Sequence, residues 1–179
     1  MALGAANTAW ADTQKPPALD FNFSLPAPDL DAHRKYLGIP SDTAFYPGQV
    51  SADILLIQIF SMYCPICQRE ASKTNELYNL IRTTPAYDKA LRLVGIGAGN
   101  SDFEVAFFKE KYTIEFPLFS DADFEIHQKI GEVQTPFFIG IRPGDTEEPE
   151  IFFTHSGEIK DPNAFLEDVF KAFETPDKK

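Results

Sequence analysis

Cysteine is scarce in this sequence, which has two, Cys64 and Cys67. Without a second pair, neither a multi-bridge disulfide framework nor a four-cysteine zinc site is available. Histidine is equally sparse. His33, His127 and His155 are scattered and lack the short spacing of paired zinc ligands, so no metal is expected. The residue after Cys67 is Gln68, not the His that covalent haem attachment requires. Long apolar runs are missing too, and none approaches the roughly 20 residues that span a bilayer as a helix. Basic residues are outnumbered, with 16 Lys and Arg against 27 Asp and Glu, for a formal net charge of −11. Such a surface repels phosphate backbones and anionic lipid, which argues against nucleic acid or a membrane surface as partner.

What is present describes a globular chain. Its 179 residues, 44% hydrophobic and 24% charged, suffice for one domain with its own core. The 17 phenylalanines read as packing residues rather than a cofactor-binding pattern. Met1–Ala11 is small and apolar and ends Ala9-Trp10-Ala11 before Asp12, a match to a signal-peptidase site. It reads as a signal-peptide remnant, with a plain Ala-rich tail as the alternative, and the remnant implies a soluble protein of the bacterial periplasm. Residues 12–27 read as an extended arm and 28–175 as the folded domain.

Periodicity divides that domain. Asp53–Phe60 is a nearly continuous apolar run of strand length, as expected for a strand buried on both faces. Ile66–Arg82 has helical spacing, with Ile66, Glu70, Leu77 and Ile81 along one stripe. Leu91–Ile96 is a second strand. Asp102–Tyr112 predicts a helix whose Phe103, Ala106 and Phe107 form the packed face. Phe116–Phe119 is a short extended piece, and Asp123–Ile130 a helix closed by Gly131. Phe137–Ile141 and Ile151–Thr154 are strands around an acidic loop, Pro143–Pro149, and suggest an antiparallel pair. Asp161–Phe173 is a final helix with Asp161 as N-cap and Pro162 in its first turn. Alternating strands and helices followed by a hairpin imply a mixed sheet.

The chemistry concentrates at Cys64-Pro65-Ile66-Cys67. At the start of a helix, the first sulfur faces unpaired backbone N–H groups and the positive end of the helix dipole, which stabilise a thiolate. The second, one turn on, can attack a mixed disulfide. Cys64 is therefore the expected nucleophile and Cys67 the resolving thiol, and half of a metal site or a purely structural disulfide are the competing uses. Thr135-Pro136 stands at the head of a strand, where the missing proline N–H is tolerated.

Taken with Val94-Gly95-Ile96 before Asp102, and with Phe116-Pro117-Leu118-Phe119-Ser120-Asp121, these motifs resemble the TlpA/ResA branch of the thioredoxin superfamily, itself close to the peroxiredoxins. The likeness runs from about Phe21 to Phe173. It implies an α/β thioredoxin fold, a central mixed sheet flanked by helices, with an N-terminal extension and a βα insertion. It implies a cis Thr135-Pro136 bond beside the cysteines, with Tyr63, Pro65, Ile66 and Thr135 meeting the substrate and Pro136 completing the site. It further implies a redox-active Cys64–Cys67 disulfide in place of any cofactor. The partners would be client protein thiols and disulfides, as in apocytochromes during haem attachment, and a membrane thiol carrier as electron donor.

The sequence departs from the thioredoxin pattern in three places. Gln58 stands where a buried Asp is usual, Tyr63 where Trp is usual, and Ser72 where a helix proline is usual. Glu70 matches a glutamate of the TlpA/ResA pattern and would replace that Asp as proton acceptor, an ordinary solvated glutamate being the alternative. Two other functions remain open. One is a peroxiredoxin-like thiol peroxidase, for which Ser61 would have to serve in place of Thr. The other is a non-catalytic binding module on the same fold.

Overall fold

The computed structural model describes residues 19–39, 43–144 and 149–175, so residues 1–11, read as a signal remnant, lie outside it. The sheet begins with β1 (Ile54–Phe60), whose residues are all buried, as its unbroken apolar run requires. Helix α2 (Pro65–Thr83) follows, then the short α3 (Pro85–Ala90) and β2 (Leu91–Ala98), parallel to β1. After α4 (Asp102–Tyr112), β3 (Leu118–Asp121) joins the far side of β2, also parallel. Helix α5 (Glu125–Lys129) leads to β4 (Phe137–Arg142), which pairs antiparallel with β1, and β5 (Glu150–Ser156) pairs antiparallel with β4. Helix α6 (Pro162–Glu174) ends the fold and packs on α2. The strand order β3-β2-β1-β4-β5 is the mixed sheet expected, with β3 and α5 as the inserted βα unit. Among the described residues, no helix is long and apolar enough to cross a membrane.

Of the arm read over 12–27, residues 12–18 lie outside the described residues and the remainder runs extended along the core, with Phe21, Phe23 and Leu25 buried and Asn22 and Ser24 exposed between them. That strict alternation is the period of an extended segment packed on one side, and Leu25 forms an antiparallel bridge with Phe45. Between this segment and β1, where periodicity marked no element, lies a helix, α1 (Asp31–Leu37), and Tyr36 and Leu37 anchor it in the core. One expectation is corrected here: α4 buries Val105 and Phe108 and leaves Phe103 and Phe107 outside. The reason is stereochemical. The apolar residues of α4 surround the helix, so periodicity marks two candidate faces and cannot choose between them.

The helix ends obey local chemistry. Ser101 caps α4 by accepting from the Glu104 amide at 3.4 Å, while Glu104 Oε2 accepts from the Ser101 amide at 2.8 Å. Asp161 caps α6 by accepting from the amides of Asn163 and Ala164, as expected. Helix α5 is shorter than the expected Asp123–Ile130, and Gly131 at positive φ follows it.

Candidate active site

Strand β1 delivers the chain into a tight turn, and Cys64 sits at its end as N-cap of α2 with Pro65 in the first turn. Pro65 supplies a helical φ and removes one amide that would go unpaired, so the helix starts at the cysteine. The Cys67 amide donates to Cys64 Sγ at 3.4 Å, the contact expected of a thiol at a helix N-terminus. Cys64 is half-buried, and its thiol donates to the Thr135 carbonyl at 3.3 Å. The Thr135-Pro136 bond is cis, and Pro136 is buried. Thus Cys64, Cys67, Thr135 and Pro136, read separately from the sequence, meet in one place.

The two thiols differ in acidity. Partial burial works against the Cys64 thiolate, but hydrogen bonds with the Cys67 amide, the Thr135 side chain and the Cys67 thiol outweigh it and hold Cys64 below the ordinary thiol value. Cys67 is 1% exposed, and burial pushes its thiol up to about 12 against a hydrogen bond from the Ser61 backbone. The neighbouring Cys64 sulfur raises it further.

Glu70 lies one turn beyond Cys67, buried in α2 at 1% exposure, and is no solvated surface glutamate. Its Oε1 accepts the Ile159 amide at 2.6 Å, and Lys73 Nζ donates to the Ile159 carbonyl at 2.7 Å, so α2 holds the backbone on both sides of that residue. Burial pushes the Glu70 carboxyl up to about 7, against the lowering influence of the Ile159 amide and of Lys73. The Gly157 amide in the same loop donates to the Pro136 carbonyl at 2.9 Å. The β5–α6 loop therefore ties the proline to the back of α2. Gln58 is buried and donates to Thr74 Oγ1 at 3.2 Å, a neutral pair in place of an ionisable group.

Ile66 corrects the stripe drawn along α2. It is 38% exposed while Leu77 and Ile81 are fully buried, because it sits in the first turn of α2, beyond the C-terminal end of β1. With Tyr63, 64% exposed, and the exposed Pro65, it lines the open side of Cys64.

Sequence reasoning missed the residues that hold this loop. Asn100, fully buried, accepts the Met62 amide at 2.8 Å, and Gln68 Nε2 donates to the Met62 carbonyl at 2.8 Å. The Tyr63 hydroxyl donates to Glu104, whose carboxyl is held below its usual range by that bond and by the Ser101 donors. Only Glu104 left a trace in the sequence, as the fourth residue of the Ser101-x-x-Glu104 capping pattern.

A family model described as the AhpC/TSA family matches residues 25–161. The chain belongs to that family. Among solved structures, this AhpC/TSA protein is similar to a secreted Mycobacterium tuberculosis disulfide oxidoreductase homologous to Escherichia coli DsbE. Identity is 17% over 85% of this chain and 97% of that one, with a TM-score of 0.58. M. tuberculosis DsbF matches at 16% identity over 88% of this chain and 99% of that one, TM-score 0.60. StoA from Bacillus subtilis matches at 18% over 66% and 83%, TM-score 0.53. Likeness at such identity establishes the thioredoxin fold. No curated protein matches the sequence.

Proposed function

We propose that this AhpC/TSA protein is a thiol–disulfide oxidoreductase that reduces disulfides of periplasmic client proteins through Cys64 and Cys67. The observation that carries this reading is the asymmetry of the pair. A thiol held below its ordinary value at a helix N-terminus stands before one that burial keeps protonated. That is the order of events disulfide exchange requires.

In the first step the Cys64 thiolate attacks one sulfur of the client disulfide. The client's S–S bond breaks, its second sulfur leaves as a thiolate and takes a proton, and a mixed disulfide joins Cys64 to the client. Bonding Cys64 removes its charge and its hydrogen bond to Cys67, two influences that had raised the Cys67 thiol. Glu70, one turn away and titrating near neutrality, is the proposed acceptor of the Cys67 proton. Cys67 then attacks Cys64 Sγ, forming the Cys64–Cys67 disulfide and expelling the second client thiol. Two electrons have passed to the client, and a membrane thiol carrier of the dithiol class would restore them. In this reading the Thr135 backbone, in contact with Cys64, would pair with an extended client segment that passes Tyr63, Pro65 and Ile66.

Cys67→Ser tests the scheme by removing only the resolving thiol. Incubated with a disulfide-containing protein, the variant should accumulate a mixed disulfide at Cys64, resolved by mass spectrometry. Cys64→Ser should form none. Alkylation of the wild type should fall first on Cys64, with a midpoint below the ordinary thiol value of about 8.5. A midpoint near that value, or first alkylation at Cys67, overturns the assignment. Peroxide consumption far faster than that of free cysteine would support the peroxidase reading instead.

A further inference from the structure

The face of α4 that periodicity marks as packed has no partner within the described residues. Phe103 is 79% exposed and Phe107 46% exposed, one helical turn apart on the same side, while Val105 and Phe108 serve the core. Two outward phenylalanines one turn apart leave apolar surface on this side of α4 without a partner among the described residues. The patch adjoins the thiol site, since Glu104, between the two phenylalanines in sequence, receives the hydroxyl of Tyr63, and Tyr63 precedes Cys64. Its charged border is mainly acidic. Glu104 and Glu110 flank the phenylalanines, Asp102 turns to the Ser120 hydroxyl of β3, and of the two lysines on this helix Lys109 turns inward to the Phe116 carbonyl. Lys111 remains, its Nζ 5.9 Å from the Phe107 ring centre.

We propose that the outward face of α4, with Tyr63, is a docking surface for an apolar, positively charged polypeptide segment of the client whose disulfide meets Cys64. This rests on the oxidoreductase reading and extends it to a substrate class. The segment seats apolar side chains on Phe103 and Phe107 and basic ones against Glu104 and Glu110, while the adjoining disulfide reaches Cys64 past Tyr63 and Ile66. The chain's net charge of −11 draws such clients in from a distance. A small disulfide with no flanking chain gains nothing from this surface.

The experiment is single-turnover reduction by the pre-reduced full chain, wild type and Phe103→Ser/Phe107→Ser. The substrates are a Leu- and Lys-rich peptide dimer joined by one disulfide, its Leu- and Glu-rich counterpart, and bis(2-hydroxyethyl) disulfide. The double variant should raise the half-saturating concentration of the Lys peptide about tenfold or more. Its limiting rate and the small-disulfide rate should not change. Phe103→Leu/Phe107→Leu should restore binding, and wild type should take the Glu peptide poorly. Anisotropy of a labelled Lys peptide with Ser in place of Cys measures docking without redox chemistry and should show the same loss. Equal binding of the Lys peptide by wild type and double variant overturns the proposal, as does equal handling of the two peptides. A wild-type dimer that becomes monomeric in the Ser variant assigns the face to a second copy and also overturns it. If wild type binds the Ser peptide through this face yet reduces neither disulfide, the oxidoreductase reading fails and the docking surface stands.

Discussion

Cys64 and Cys67 stand one helical turn apart, and the regions around them are built on opposite rules. Behind Cys67 the molecule is core. Glu70, Thr74, Leu77 and Ile81 are buried on α2, and Ile159 is fixed by hydrogen bonds from both sides. In front of Cys64 it is surface, where Tyr63, Ile66, Phe103 and Phe107 stand exposed and are linked by one bond between Tyr63 and Glu104. The back region sets acidities, since burial is the first cause of the high values at both Cys67 and Glu70. The front region sets what reaches the sulfur. Changes behind Cys67 should therefore alter stability and the resolving step, and changes in front should alter client selection alone.

The largest effect tests whether the back is truly core. Leu77→Ala removes a fully buried side chain and should cost about 2–5 kcal/mol in urea unfolding. The alkylation midpoint of Cys64 should stay where it is, because no contact of the thiol is touched. A loss well below 1 kcal/mol would erase the distinction between the two regions.

Glu70→Gln comes next. Gln keeps an acceptor for the Ile159 amide but cannot take a proton. The resolving step, followed by rapid-quench decay of the mixed disulfide from pH 5 to 9, should slow about 10- to 100-fold. The wild-type inflection near 7 should disappear from the profile. Stability supplies a second readout with a definite sign. The folded carboxyl titrates at about 7 rather than its ordinary 4.5, so the folded state holds the proton more tightly. That contribution is fully present below pH 4.5 and is lost as pH rises through 7. Thermal melts should therefore show wild type losing stability across this window relative to Glu70→Gln. Superimposable rate profiles would reduce Glu70 to an anchor for the β5–α6 loop.

Tyr63→Phe is the smallest change and the sharpest test of the front. It removes one exposed hydrogen bond to Glu104 and keeps the ring. The expected cost in capture of a peptide disulfide is about 1 kcal/mol or less, with no change in unfolding free energy or in the Cys64 midpoint. A shifted midpoint would mean that the front also sets acidity.

Much of this was legible in the sequence because it depends on neighbours in the chain. The strand–cysteine–helix order placed Cys64 at a helix N-terminus, and the unbroken apolar run of β1 announced a strand buried on both faces. The Asp161 cap and the hairpin followed from local residue types. Helical spacing also placed Glu70 inward. It could not place Ile66, because the first turn of α2 lies beyond the end of β1, where the sheet no longer covers the stripe.

The sequence by itself determined most of the elements from β1 onward and the place of Cys64 at a helix N-terminus one turn ahead of Cys67, since propensity and capping act within a few residues. Only the tertiary structure decided which phenylalanines of α4 are core, that Phe21, Phe23 and Leu25 belong to it, and that Asn100, Glu104 and Ile159 serve the site. Those outcomes depend on which surfaces meet when distant segments pack. Two helix faces of equal apolarity differ only in whether another part of the chain lies against them.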